Sequence, residues 1–327
     1  MYGPVLYLRR GMTNNYTKPF LSIAKQIDVL KSRGMLIEND EIAASYLETI
    51  GYYRLSGYWF NFRKRDKNDP SIVLEEFVPE TKFTDAVNLY VFDRKLRLLF
   101  MDAIERVEVA LRVRAASVMG GRSPLVHLDG KYLNNWFTAK GKQGESHHSR
   151  WTQKLDRAID RSKEHFVSNY KNKYDSPLPI WIAIELWDFG LTSFFISGLK
   201  AKDQTKIANH FDIPRNVLLT SWVRSINYAR NVCAHHARLW NSVPADQPKL
   251  IKAGEIAELE HLLTNKNAQI RIYAQAALIQ YFMKRINPTS TWGERMKELL
   301  NEFPETPGLS VGNMGFPKDW QNLDLWR

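Results

Sequence analysis

The chain has 327 residues, 44% apolar and 25% charged, proportions of a folded globular protein that exclude a disordered or fibrous one. Its one cysteine, Cys233, excludes an intramolecular disulfide framework and any multi-thiolate metal site, and fits a reducing cytoplasm. The net charge of +11 biases the surface toward polyanions; no apolar run reaches the ~18 residues of a membrane helix, and the apolar part of MYGPVLYLRRG is too short for a secretory signal.

Strand signals are scarce and the 3.6-residue period recurs along most of the chain, which predicts an all-α protein. Residues 21–63 should form three short helices. LSIAKQIDVLKSRG stops at Gly34, NDEIAASYLETI is capped by Asn39 or Asp40 and stops at Gly51, and YYRLSGYWFNFR follows. Ordinary helix packing explains them better than a DNA-reading helix-turn-helix, because no recognition helix stands out. Residues 64–82 are polar and carry Pro70 and Pro79, so a loop with at most one short strand is expected. A long helix over 83–119 then repeats Leu89, Phe92, Leu96, Leu99, Ala103, Val107 and Ala110 at spacings of three and four. Arg94, Arg97, Glu105, Glu108 and Arg112 lie on its other faces, with Glu108 and Arg112 spaced to pair.

Residues 138–150, TAKGKQGESHHSR, predict a mobile insertion. Its His147 and His148 diverge by about 100° on a helix and have no third ligand at metal spacing, so no metal site is expected. Between residues 131 and 173, ten Lys or Arg face four acids, so +6 of the +11 sits there. Helices are predicted near 150–173 and 179–199. In the second, Glu185 stands alone in PIWIAIELWDFG and is expected to be buried and paired. Beyond NSVPADQPK come a helix over 267–285 with Ile270, Ala274, Ala277 and Tyr281 on one side, a short helix over 292–300, and an aromatic tail, MGFPKDWQNLDLW. The expected domains are an N-terminal helical extension over 1–82, a helical bundle over 83–287 and a C-terminal helix and tail over 288–327.

The helix opening at Pro214 and running to about residue 240 holds ARNVCAHHARLWN. At 100° per residue, one arc carries Arg224, Asn227, Asn231, His235 and Arg238. The other carries Leu218, Leu219, Trp222, Ile226, Ala229, Val232, Cys233, His236 and Trp240, so Cys233 and His236 are expected in the core. Arg230 lies about 140° from His235. One helix alone therefore makes a poor site, and two copies facing across a two-fold axis make a better one, which predicts a homodimer. RNA cleavage suits these residue types. A histidine titrating near neutrality moves the proton of a ribose 2′-OH or of the leaving oxygen, and a guanidinium holds the phosphate by two hydrogen bonds. Asn231 either orients His235 or bonds the phosphate. No metal or other cofactor is required, because the 2′-OH is the nucleophile. RSPLVH, residues 122–127, repeats the Arg-to-His spacing in an expected loop with Pro124 and is a decoy.

RNVCAHHARLWN resembles the signature of the Abi-like (abortive infection, AbiD/AbiF) proteins of the HEPN superfamily. KPFLSIAKQIDVLKSRGM, IGYYRLSGYWF, LYVFDRKLRLLFMDAIERVEVALR, PIWIAIELWDFG and MGFPKDW resemble family segments in the same order. The resemblance implies a HEPN-type bundle and a metal-independent endoribonuclease toxin of a phage-defence system that leaves a 2′,3′-cyclic phosphate and a 5′-OH. It implies catalytic roles for Arg230, Asn231 and His235, and a second, less settled histidine at His236. Glu185, Arg224, Asn227 and Arg238 are expected as supporting residues. It further implies a dimer through the motif helix and, in some relatives, inhibition by a small structured RNA. Lys140, Lys142, Arg150, Lys154, Arg157 and Arg161 are the expected RNA contacts. The rival expectations are a non-catalytic RNA-binding module and, more weakly, a transcriptional regulator.

Overall fold

A computed structural model describes residues 19–142, 144–306 and 308–327. The opening MYGPVLYLRRG, and with it the expectation about a secretory signal, lies outside the described residues. The fold is all-α, with fifteen α-helices and one two-stranded hairpin among the described residues. No described helix is long and apolar enough to cross a membrane. The chain divides into a smaller unit that ends at Arg94 and takes in Glu302–Gly308, and a larger one of Lys95–Asn301 and Leu309–Arg327.

In the smaller unit, α1 (Ile23–Ser32), α2 (Asp40–Thr49) and α3 (Tyr52–Trp59) match the three predicted helices. Asn39 caps α2, accepting from the Ile42 amide at 2.9 Å. Gly34 and Gly51, at φ 89° and 91°, make the left-handed turns that separate them. Residues 63–77 hold two strands, β1 (Arg63–Arg65) and β2 (Val73–Phe77), where at most one was expected over 64–82; they pair antiparallel with Arg63 opposite Phe77. The second strand is hidden in the sequence because Asp66 turns the chain through bonds to the Asn68 and Asp69 amides, and only Phe77 of the two strands is buried. α4 (Phe83–Gly120) follows, and the chain leaves the smaller unit within it.

In the larger unit the remainder of α4 is followed by α5 (Asn135–Thr138), α6 (His147–Arg161), α7 (His165–Lys173), α8 (Ile180–Ala183), α9 (Phe189–Gly198), α10 (Ala201–His210) and α11 (Asn216–Ala234). Then come α12 (His261–Thr264), α13 (Lys266–Ile270), α14 (Ile272–Ile286) and α15 (Trp292–Asn301). Every residue from Ile272 to Met283 is buried, the signature of a helix covered on all sides, and α11 lies against α9, α10 and α14. The aromatic tail seals this core: Phe316, Trp320 and Trp326 are buried against Tyr273 and Trp292.

Several predicted helices are broken. The helix expected over 267–285 splits at Arg271, whose guanidinium reaches the Asn241 carbonyl at 2.9 Å, and Ile270 is exposed rather than in the core. The helix expected over 150–173 splits at Ser162, and that over 179–199 at Trp187. The second break overturns the reading of Glu185. It falls in a 3₁₀ turn, Ile184–Leu186, which rotates its side chain out to solvent, so it is exposed rather than buried and paired. Arg97, placed by its spacing on an outer face, is 5% exposed, and donates to the Ala237 carbonyl at 3.4 Å. The expected Glu108–Arg112 ion pair is present.

Asp203 of α10 is fully buried, and both its oxygens are held by the Arg122 guanidinium, one of them at 2.7 Å. Removing Arg122 would leave a buried carboxylate without its partner. R122M should therefore cost about 3 to 5 kcal/mol in urea unfolding of the larger unit; a loss under about 1 kcal/mol, the range of a surface pair, would contradict this burial.

Candidate nucleic-acid groove at the motif helix

α11 is held on its inner side by Leu218, Leu219, Trp222, Ile226, Ala229 and Cys233, all buried as the spacing predicts. Ser221, Val223 and Ser225 are buried too, and residues 246–249 run back along the helix at Ser221 and Ser225. Ser225 donates to the Asp246 carbonyl at 2.7 Å, Trp222 to the Lys249 carbonyl at 2.8 Å, and Ser221 accepts from the Lys249 amide at 2.8 Å. Two flanks of α11 are thus fixed, and the rest faces outward.

The helix ends at Ala234, six residues short of the predicted end. His235 is its C-cap and His236 takes the left-handed conformation at φ 57°. The His236 amide bonds to Cys233 O at 3.0 Å and the Ala237 amide to Val232 O at 2.9 Å, a Schellman closure. The reason lies downstream. Leu239 and Trp240 are adjacent and both buried, whereas a continuing helix would turn them about 100° apart. The closure overturns two expectations. His236 is exposed rather than in the core, and Arg238 is half-buried in coil instead of extending the helical polar line.

His235 is exposed at the helix end. Arg230, one residue before Asn231, is half-buried, and its Nη1 donates to Asn231 Oδ1 at 3.3 Å. Glu108 of α4 lies within electrostatic reach of Arg230. Burial pushes the Glu108 carboxyl above its ordinary range, opposed by Arg112 and then Arg230. Its spacing in α4 signalled only the pair with Arg112.

Asn231 also lines an open groove of about 1150 Å³ in the larger unit. From α11 it takes Thr220, Arg224, Asn227 and Asn231, which recur at spacings of four, three and four along one face. From α6 it takes His147, Arg150 and Lys154. Arg157 and Arg161 continue the α6 face, since positions 150, 154, 157 and 161 fall within an arc of about 60° and over about 16 Å of helix. All four are exposed. Arg224 pairs with Asp246 at 2.9 Å, half exposed. The groove thus brings together Arg150, Lys154, Arg224, Asn227 and Asn231 of the predicted residues. It is not lined by Arg230, His235, His236, Arg238, Glu185, Lys140, Lys142, Arg157 or Arg161.

Within the segment expected to be a mobile insertion the Gly141 amide donates to the Glu145 carbonyl, and Ser146 caps α6 directly after it. His148 Nε2 meets the His127 carbonyl at 2.8 Å. Sequence reasoning passed over Trp136, Phe194, Asp188 and Lys249, which also line the groove; a single aromatic or charged residue at each place carried no local signal of a site. No group of three potential metal ligands occurs among the described residues. Arg122 and His127 are structural, as their loop position suggested: Arg122 holds Asp203, and His127 is buried beside Trp151 and Trp187.

The sequence model of the family described as Abi-like protein matches residues 45–241, more than half of the chain and the whole of the Arg230-to-His235 motif. The chain belongs to the Abi-like family. No curated protein and no solved structure matches it. In this Abi-like chain the matched region ends at Asn241, directly after the two buried residues that close α11.

Two stability measurements follow from this Abi-like site. Glycine tolerates φ 57° without the Cβ penalty that a histidine meets. H236G should accordingly raise stability by about 1 kcal/mol in chemical unfolding, and a loss of that size would show that the His236 side chain itself holds the turn. Burial first, and His148 second, hold the His127 imidazole down at about 4, against 6.5. The unfolded chain takes up this proton first, so the contribution is complete above pH 6.5 and is lost as pH falls toward 4. Wild type should lose about 3 kcal/mol more than H127F across that window; parallel pH profiles would contradict it.

Proposed function

We propose that the chain is a HEPN-type endoribonuclease that cuts RNA by attack of a ribose 2′-OH on the neighbouring phosphate, without a metal. The observation that carries the reading is the end of α11. A Schellman closure leaves His235 exposed at the end of the helix that also carries a half-buried Arg230 bonded to Asn231, and Asn231 lines a groove shared with Arg150, Lys154 and Arg224. The 2′-oxygen attacks phosphorus as its proton passes to a base, the P–O5′ bond breaks, and the leaving oxygen takes up a proton. The products are a 2′,3′-cyclic phosphate and a 5′-hydroxyl. His235 does acid-base work in this scheme, Arg230 offsets the charge building on the phosphate, and Asn231 holds the Arg230 guanidinium. Glu108 is a positioning residue that shares its charge between Arg112 and Arg230.

One copy presents a single His235, whereas the reaction removes a proton and returns one, so a homodimer that faces two α11 ends together supplies both groups. Family membership supports a role in abortive infection; in this reading the chain is a toxin that acts in the cytoplasm and is held in check by a small structured RNA on the α6 ridge. His236, at the turn, sets the backbone beside His235.

A second reading rests on a specific observation: neither Arg230 nor His235 lines the groove, so the groove alone would suit an RNA-binding module that does not cut. Labelled RNA incubated with the purified protein in EDTA separates the two. Cleavage should persist in chelator and fall at least a hundredfold in H235A and R230A, with the sedimentation of the protein unchanged. Bound but intact RNA with the wild type would leave only the binding module, and H235A as active as wild type would remove this histidine from the chemistry.

A further inference from the structure

The groove carries a feature that phosphate binding does not explain. Trp136 of α5 and Phe194 of α9 are 48% and 36% exposed within it, although large aromatic side chains gain most from burial. With His147 at the start of α6 they form a ring cluster: Trp136 lies 5.0 Å from His147 and 6.1 Å from Phe194, and His147 lies 5.6 Å from Phe194. All three pairs meet edge to face, so none is a face-to-face stack.

The cluster is built into the fold. Asn134 caps α5, accepting from the Phe137 amide at 3.0 Å, and its amide nitrogen donates to the Ser197 and Leu199 carbonyls at 3.0 Å each. α5 is thereby tied to the end of α9. Behind it, a Cβ at Gly198 would come within 2.5 Å of the Phe137 ring, so these two elements have no slack. Arg150 donates to His147 Nδ1 at 2.9 Å, which joins the aromatic cluster to the first cation of the α6 ridge.

We propose that Trp136, flanked by Phe194, stacks a nucleobase of unpaired RNA while Arg150, Lys154, Arg157 and Arg161 follow its phosphates. This rests on the reading of the groove as an RNA site and adds the class of RNA, one whose base faces are free. Aromatic platforms beside a basic track recognise single strands because every base offers a π face, and a duplex hides those faces. Arg150, Lys154, Arg224 and Lys249 against Asp188 give the groove an anion preference, and its volume exceeds the roughly 300–1,000 Å³ usual for a small-molecule pocket.

The test compares two labelled probes with the purified full chain: a twelve-nucleotide 2′-O-methyl oligouridine, which keeps bases and phosphates but lacks the attacking hydroxyl, and its abasic counterpart. W136A should weaken oligouridine binding about tenfold or more, leave the abasic probe unchanged, and leave the salt dependence intact, because that slope counts phosphate contacts. W136F should retain most of the affinity, and thermal melts of both variants should match wild type. Equal losses on the two probes, no loss on oligouridine, or no binding of either probe by wild type would overturn the platform. So would a W136A protein that sediments as a smaller species with its RNA affinity intact, which would make this face a contact between copies. Cleavage of unmodified RNA, followed alongside, keeps the two readings apart: a failed platform with cutting intact leaves the nuclease standing, and base-dependent binding without cutting leaves only the platform.

Discussion

Leu239 and Trp240 are neighbours in the chain and both are buried. A helix running on through them would turn one away from the core, so α11 has to stop first, and it stops on a histidine in a conformation that glycine normally takes. The end of the helix and the exposure of His235 both follow from that closure. Arg97, buried on α4, fastens the chain just beyond it through the Ala237 carbonyl, and Arg271 fastens Asn241 a few residues later. The turn is therefore held from several sides, which is how a residue with positive φ persists in a folded protein.

The same economy of packing makes the groove. α11 buries its inner and one lateral face, and residues 246–249 cover Ser221, Trp222 and Ser225. What remains is the row Thr220, Arg224, Asn227 and Asn231. Trp151 of α6 is buried with its indole nitrogen on the Leu191 carbonyl, so α6 and α9 are fixed to each other. That contact places the α6 cations on the rim opposite the α11 row. A charged ridge on a long, well-packed helix keeps its spacing, which a ridge on a loop would not.

Much of this is legible in the sequence. The 3.6-residue period gives the all-α class, the caps and stops at Asn39, Gly34 and Gly51 give the three N-terminal helices, and the buried arc of α11 follows from spacing alone. The failures share one cause, which is that periodicity says nothing about where a helix breaks. Arg271, Ser162 and Trp187 each interrupt a run whose apolar spacing continues across them, and the break at Trp187 is why Glu185 faces solvent. His236 and Arg238 were placed by extending the α11 period past Ala234, where tertiary burial of Leu239 and Trp240 overrides it. The groove itself is assembled from α5, α6, α9 and α11, far apart in the chain, so Trp136 and Phe194 carry no local mark of a shared surface. Glu108 was found as a partner of Arg112, but its nearness to Arg230 spans more than a hundred residues and needs the fold.

In the proposed function the exposed end of α11 acts on a ribose hydroxyl of RNA lying along a basic groove. This chemistry is tested most directly by mapping a cut in a defined RNA and replacing the hydroxyl on its 5′ side with a single 2′-O-methyl group. This one bond should become resistant while cuts elsewhere in the same molecule continue, and the unmodified product should end in a cyclic phosphate. Undiminished cleavage at the methylated position, or a linear 3′-hydroxyl end, would contradict it.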